Sequence, residues 1–175
     1  MNYRKILALD PSGNFHEGKG TTGWCVYDCE IHQVLKTGVI SAKDYKSIHE
    51  YHQAHEDLIG EAIDCDPLIG LVIEDYILYE NKALSQTNSK METPKLIGLI
   101  EHTCYHEEIP VHLQTASEVK TRWTDEILVH EGLIIPKGRS YCIPNEPGKK
   151  INRHVKDSIR HAAHFGMFKN KVKEG

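Results

Sequence analysis

A chain of 175 residues, 39% apolar and 26% charged, is long enough to enclose a core without disulfide help and is expected to form one domain over 1–175. No apolar run nears the roughly 18 residues of a membrane span, and the first apolar stretch ends at Asp10, too short for a signal peptide, so a cytoplasmic protein with no membrane partner is expected. The net charge of -4 hides a split: residues 137–175 hold ten of the 21 basic residues against three acids, a composition suited to a polyanion, with 169–175 as a basic tail.

Residues 5–10 read as a short buried strand that Pro11-Ser12-Gly13 stops, leaving Asp10 at its C-terminal edge. After a glycine-rich stretch, 24–28 and 34–40 are β-rich segments around a polar break, the pattern of an antiparallel meander. Over 44–64, Ile48, Tyr51, Leu58, Ile59, Ala62 and Ile63 recur at helical spacing, and Cys65-Asp66-Pro67 ends that helix. The run 70–74 is apolar without alternation, as in a strand buried on both faces, and it too ends in a carboxylate, Glu74. A polar loop over 79–93 leads to an apolar helix at 94–104, either a core helix under the sheet or a candidate interface to a partner, and then to a strand at 109–113. Thr115-Ala-Ser-Glu118 has the capping-box form and predicts one helix to about residue 131. Three prolines and three glycines make 132–150 a long loop or flap, and Asn152 caps a last helix with Val155, Ile159 and Ala162 on its buried stripe. The order βββαβαβαα is an α/β arrangement, a mixed five-stranded sheet flanked by helices.

Three acids stand at element ends: Asp10, Glu74 and Asp157. His154 lies three residues before Asp157 and so on the same helix face. If the two strands are neighbours and the last helix crosses their ends, four ligands converge. Carboxylates with one imidazole and no thiolate suit Mg²⁺ or Mn²⁺. His161, a turn further on, reads as an ordinary partly buried helix histidine. Lys149, Lys150, Arg153, Lys156 and Arg160 surround the ligand helix, and Lys120 with Arg122 forms a second basic group, all suited to phosphate contacts. Residues 13–20 match P-loop spacing until Gly20 replaces the required Ser or Thr, and a strand follows where a phosphate-binding helix is needed. The 12 histidines lack zinc-site spacing, and five cysteines without a CxxC pair suggest reduced thiols.

Ile6-Leu-Ala-Leu-Asp10-Pro-Ser-Gly13 with Thr22-Gly23-Trp24 resembles the first motif of RuvC-type Holliday junction resolvases. Leu71-Val-Ile-Glu74-Asp-Tyr76 is similar to their second motif, His154-Val-Lys-Asp157-Ser-Ile-Arg-His-Ala162 to their last, and Glu118-Val-Lys120 to the segment that carries their lysines near the scissile strand. The resemblance runs from Ile6 to Gly166. It departs from the family at Ser12, in the lengthened first turn 14–20 and in the expanded connection 132–150, and these insertions suggest the phage-encoded branch, hence a host cytoplasm. It implies an RNase H-like fold and structure-selective cleavage of four-way or other branched DNA. It also implies two Mg²⁺ or Mn²⁺ ions on Asp10, Glu74, His154 and Asp157, 5'-phosphate and 3'-hydroxyl products, and a homodimer that makes paired nicks. Tyr76 or Tyr79, with Lys82 nearby, falls where the family places an aromatic side chain close to the junction's exchange point. The alternatives are an ATP-binding protein of the actin and sugar-kinase superfamily, which normally needs two such domains, and a branched-DNA binding module without catalysis.

Overall fold

The structure, a computed structural model, describes residues 3–77 and 91–170. Strands β1 (Lys5–Asp10), β2 (Thr21–Asp28) and β3 (Gln33–Ser41) form the meander, and helix α1 (Ile48–Cys65) follows. Then come β4 (Gly70–Glu74), α2 (Glu92–His106), β5 (Val111–Gln114), α3 (Ala116–Lys120), α4 (Asp125–His130), β6 (Ile135–Lys137), β7 (Ser140–Cys142) and α5 (Arg153–His164), which runs on as a π-helical turn, Phe165–Lys169. The main sheet has the order β3-β2-β1-β4-β5, antiparallel from β3 to β1 and parallel from β1 to β5. This is the expected mixed five-stranded sheet. Among the described residues no helix is long and apolar enough to cross a membrane, and all five cysteines are free.

The sheet separates two cores, and strand parity decides which residues enter each. Ile6 and Ala8 of β1, Cys25 and Tyr27 of β2 and Val72 of β4 face Val155, Ile159, Ala162 and Ala163 of α5, with Trp123 and Leu128 beside them. Leu7 and Leu9 of β1 and Leu71 and Ile73 of β4 face the other way, onto Tyr51 and Ile59 of α1 and Leu96, Ile97 and Ile100 of α2. Both faces of β1 and β4 are therefore covered, which is why those strands read as unbroken apolar runs.

Several expectations need correction. The helix expected from residue 44 begins at Ile48, after a 3-10 turn over Ala42–Asp44. Ser47 accepts from the Glu50 N–H at 3.1 Å while the Glu50 carboxylate accepts from the Lys46 N–H at 2.9 Å, a pair that fixes the start. The helix expected over 115–131 is two helices. Thr115 caps α3 as foreseen, but Thr124 accepts from the Ile127 N–H and starts α4 afresh. The apolar face of the 94–104 helix, the candidate dimer interface, is spent on α1 and the sheet, leaving Lys95, Gly98, Glu101, His102 and Tyr105 outward.

The stretch 132–150 is not all loop, because β6 and β7 pair as a hairpin with Lys137 opposite Ser140. Gly138 takes positive φ (64°) and Arg139 does not, the type II′ pattern that suits a two-residue turn.

Candidate metal centre and nucleic-acid interface

Register and parity bring two of the acids together. Leu9 pairs with Ile73 in the parallel β1–β4 ladder, so Asp10 and Glu74 end neighbouring strands at the same edge. Each lies two residues beyond a side chain on the α5 face, Ala8 and Val72, and so points to that face. Asp157 comes from α5 directly opposite, and oxygens of Asp10, Glu74 and Asp157 lie within 4.8 Å of one another. The Thr22-Gly23-Trp24 motif has a local reason here. A Cβ on Gly23 would stand 2.1 Å from the His154 carbonyl carbon, so only glycine lets the start of α5 press onto β2.

Around the acids sits a set of nitrogen donors. His154 Nδ1 donates to Asp10 Oδ2 at 2.7 Å and lies outside the three-carboxylate group itself. The Lys120 ammonium reaches Glu74 at 3.2 Å and Asp157 at 3.1 Å. Arg160 donates to Asp157 Oδ1 at 2.5 Å and also to Asp125, while Arg153 stands 3.7 Å from Asp157 with most of its side chain in solvent. His161 corrects the sequence reading: it is fully buried, with Nε2 donating to Glu74 Oε2 at 3.0 Å and Nδ1 beside Gln114 Oε1 at 3.1 Å. Its place four residues after Asp157 was the available signal. Gln114, Arg160 as a partner of Asp157, and Asp125 carried none.

Burial pushes the Asp10 carboxyl above the usual carboxylate range, and the charges of Glu74 and Asp157 add to this against the His154 hydrogen bond. Burial would raise Glu74 as well, but the hydrogen bond and charge of His161, with those of Lys120, hold it below that range. The hydrogen bond to Asp10 raises His154. Burial works against the Lys120 charge, yet Glu74 and Asp157 together raise its pKa. The donor set passes a simple test for a hard divalent cation: three carboxylates converge with no thiolate among them, and they already draw an ammonium toward their oxygens.

The other named residues divide. Lys150 is exposed near the start of α5. Lys149 folds back onto the Thr37 carbonyl and, at 3.4 Å, onto Glu146. Lys156 pairs with Asp125 at 2.6 Å. Arg122 packs 3.7 Å above the Phe168 ring and touches none of the acids. Tyr76 is half-buried with its hydroxyl turned inward and unbonded. Tyr79 and Lys82 lie outside the described residues, as does the basic tail beyond Asn170, whereas Lys169 pairs with Glu118 at 2.5 Å.

No protein-family model matches the chain, and no curated protein matches it in sequence. Solved structures do. Thermus thermophilus RuvC in complex with Holliday junction substrate superposes with a TM-score of 0.67 at 12% identity, covering 95% of this chain and 95% of that one. The fold is that of RuvC. A second Thermus thermophilus RuvC structure agrees, with a TM-score of 0.65 at 12% identity over 94% of this chain and 95% of that one. The RuvC, RNase H-like fold is thus kept while about seven residues in eight differ. At that distance the likeness speaks for the backbone, and the argument for chemistry rests on the carboxylates themselves.

Proposed function

We propose that this chain is a single RNase H-like nuclease domain over 1–175, a metal-dependent endonuclease that cleaves four-way junctions or other branched DNA. The observation that carries the reading is the convergence of Asp10, Glu74 and Asp157 from β1, β4 and α5 on a RuvC fold. Those three residues, with His154 beside Asp10, would hold Mg²⁺ or Mn²⁺, two ions by the family resemblance. Bound ions would supply Lewis-acid activation of a water and charge stabilisation for the departing 3'-oxygen.

The chain's own groups account for the rest. His154 orients the Asp10 carboxylate through its 2.7 Å hydrogen bond, and His161 orients Glu74 from the buried side, so neither carboxylate turns freely. Arg160 fixes Asp157, with Asp125 holding the guanidinium in turn. Lys120 is placed to follow negative charge as a phosphodiester enters beside Glu74 and Asp157. Arg153, 3.7 Å from Asp157, and Lys150, exposed just before α5, would contact phosphates, with Lys149, Lys120 and Arg122 as further basic groups and Tyr76 two residues beyond Glu74. Paired nicks across a symmetric junction call for a homodimer.

The test incubates a labelled immobile four-way junction and a matched linear duplex with the protein in Mg²⁺, Mn²⁺ or EDTA, beside Asp10→Asn. The expected result is metal-dependent nicks near the branch that a ligase can reseal, absent from the duplex and from the variant. Tight junction binding without cutting in any metal would make the chain a binding module. Neither cutting nor binding, with thermal stabilisation by ATP, would move it to the nucleotide-binding class.

A further inference from the structure

The segment between α4 and α5 is built as a fixed platform. β7 lies against the residue that leads into α5: Ile151 N–H donates to the Tyr141 carbonyl at 2.9 Å, and Ser140 Oγ reaches the Ile151 carbonyl at 3.4 Å. Lys137 Nζ donates to the Pro147 carbonyl at 2.6 Å and ties the hairpin to the turn behind it. That turn is fastened to edge strand β3, where Asn145 Nδ2 donates to the Val34 carbonyl and Thr37 Oγ1 to Glu146, both at 2.9 Å. Lys156 of α5 lies 4.9 Å over the Tyr141 ring.

The charge on this platform has one sign. Residues 135–153 contain Lys137, Arg139, Lys149, Lys150 and Arg153 against one acid, Glu146, which Thr37 and Lys149 already engage. Arg139 and Lys150 are exposed and, among the described residues, form no ion pair. Cations left without ion-pair partners on a fastened element, Lys150 only four residues along the chain from His154, make a surface for a polyanion that continues out of the acid site.

We propose that β6, β7 and the following turn form a phosphate rail that holds the duplex arm running away from the acids, with Arg139 at its outer end. This rests on the nuclease reading and adds to it the part of the substrate that is held. Arg139 lies in the hairpin turn, two residues along the chain from Tyr141, whose bridge to Ile151 joins the hairpin to the lead-in of α5, so its contact falls on duplex backbone and carries no information about the branch. The rail therefore contributes equally to junction and linear duplex.

Binding is measured in EDTA, on a four-way junction and a linear duplex, across a salt series, for wild type, Arg139→Ala, Arg139→Glu and Lys95→Ala. Lys95 lies on α2, across the sheet from α5, and controls for net charge. Arg139→Ala is expected to weaken both DNAs by the same factor, roughly three- to tenfold, and to reduce the salt slope by about one. Arg139→Glu should weaken both further, and Lys95→Ala should match wild type. Arg139 occupies an exposed turn position, and an unchanged Tm shows that the variants fold; Lys150→Ala repeats the test at the other end of the rail. Equal affinity and slope for Arg139→Ala and Lys95→Ala would overturn the rail while leaving junction cutting untouched. Weakening confined to the junction would overturn it too, because the hairpin would then read the branch. No binding of either DNA by wild type would remove the nuclease reading together with the rail.

Discussion

Lys120 is the residue whose position says most about the acid cluster, because its ammonium bridges Glu74 and Asp157 where a divalent cation would also find its oxygens. Replacing it by methionine leaves three carboxylates facing one another with less compensation. Lys120→Met is expected to cost about 2 kcal/mol, toward the low side for a pair of this kind since about a third of the side chain is exposed. Added Mn²⁺ should then raise the Tm of Lys120→Met by more than that of wild type; equal gains would mean that lysine and cation do not share these oxygens. Asp10 and Glu74 stood out in the sequence as acids that interrupt apolar strand ends, and Asp157 with His154 by their three-residue spacing on a helix; the three carboxylates do converge, while His154 lies on Asp10 outside that group. Their supports were not. Gln114 ends a short strand in an ordinary polar position, and Arg160 looks like any helix-surface arginine until Asp125 arrives from another helix. His161 shares the ligand face by spacing, but only the packing of α5 on β4 and β5 turns it onto Glu74.

At the scale of elements, close approach of α5 to β2 is what places Asp157 opposite the strand ends, and two glycines in different settings are expected to respond with opposite signs. A methyl on Gly23 would meet the backbone of His154 and Val155 at 2.1 to 2.3 Å, and backbone cannot rotate away. Gly23→Ala should destabilise by about 3 kcal/mol and displace His154 from Asp10, read as a lower Tm. Gly98, inside α2 and exposed, has nothing within 4 Å of an added Cβ. Gly98→Ala should stabilise by about 0.5–1 kcal/mol in the same thermal unfolding assay. An undiminished Tm for Gly23→Ala would show that the contact at Gly23 is not what seats the helix. Periodicity gave α1, α2 and α5 within a few residues because each has one apolar stripe. It ran α3 and α4 together because Val119, Trp123, Ile127 and Leu128 keep helical spacing across Thr124, whose cap restarts the chain. It passed over the hairpin because Pro136 and Gly138 read as loop composition, although Gly138 is what its turn requires.

For the molecule as a whole, the succession of the sheet's strands along the chain was legible from the residue pattern, while their order in the sheet came only with the structure, and so did the pH response, since it depends on a histidine that looks like the others in sequence. His55 of α1 is fully buried against the turn after Asp10. Its Nδ1 donates to the Tyr51 carbonyl at 2.7 Å, and its Nε2 meets the Thr22 hydroxyl at 2.8 Å. Thr22 Oγ1 in turn accepts from the Ser12 N–H at 3.2 Å, and the Tyr51 hydroxyl donates to the Ser12 carbonyl at 2.6 Å. Burial lowers the His55 pKa from the ordinary 6.5 to about 4. Between those values the unfolded chain binds the proton and the folded chain does not, so stability falls as pH drops from 6.5 toward 4. The full shift corresponds to roughly 3 kcal/mol. Burial lowers His52, His112 and His164 in the same direction, whereas His154 is raised by Asp10 and gains stability over its own window as pH falls. The comparison that isolates His55 is therefore the slope of stability against pH, from urea unfolding, for wild type and His55→Gln. The variant should lose less stability than wild type across that window, whatever its stability at neutral pH. Parallel slopes would show that His55 takes up its proton as readily in the folded chain as in the unfolded one, and that the Thr22–His55–Tyr51 network tolerates the charge.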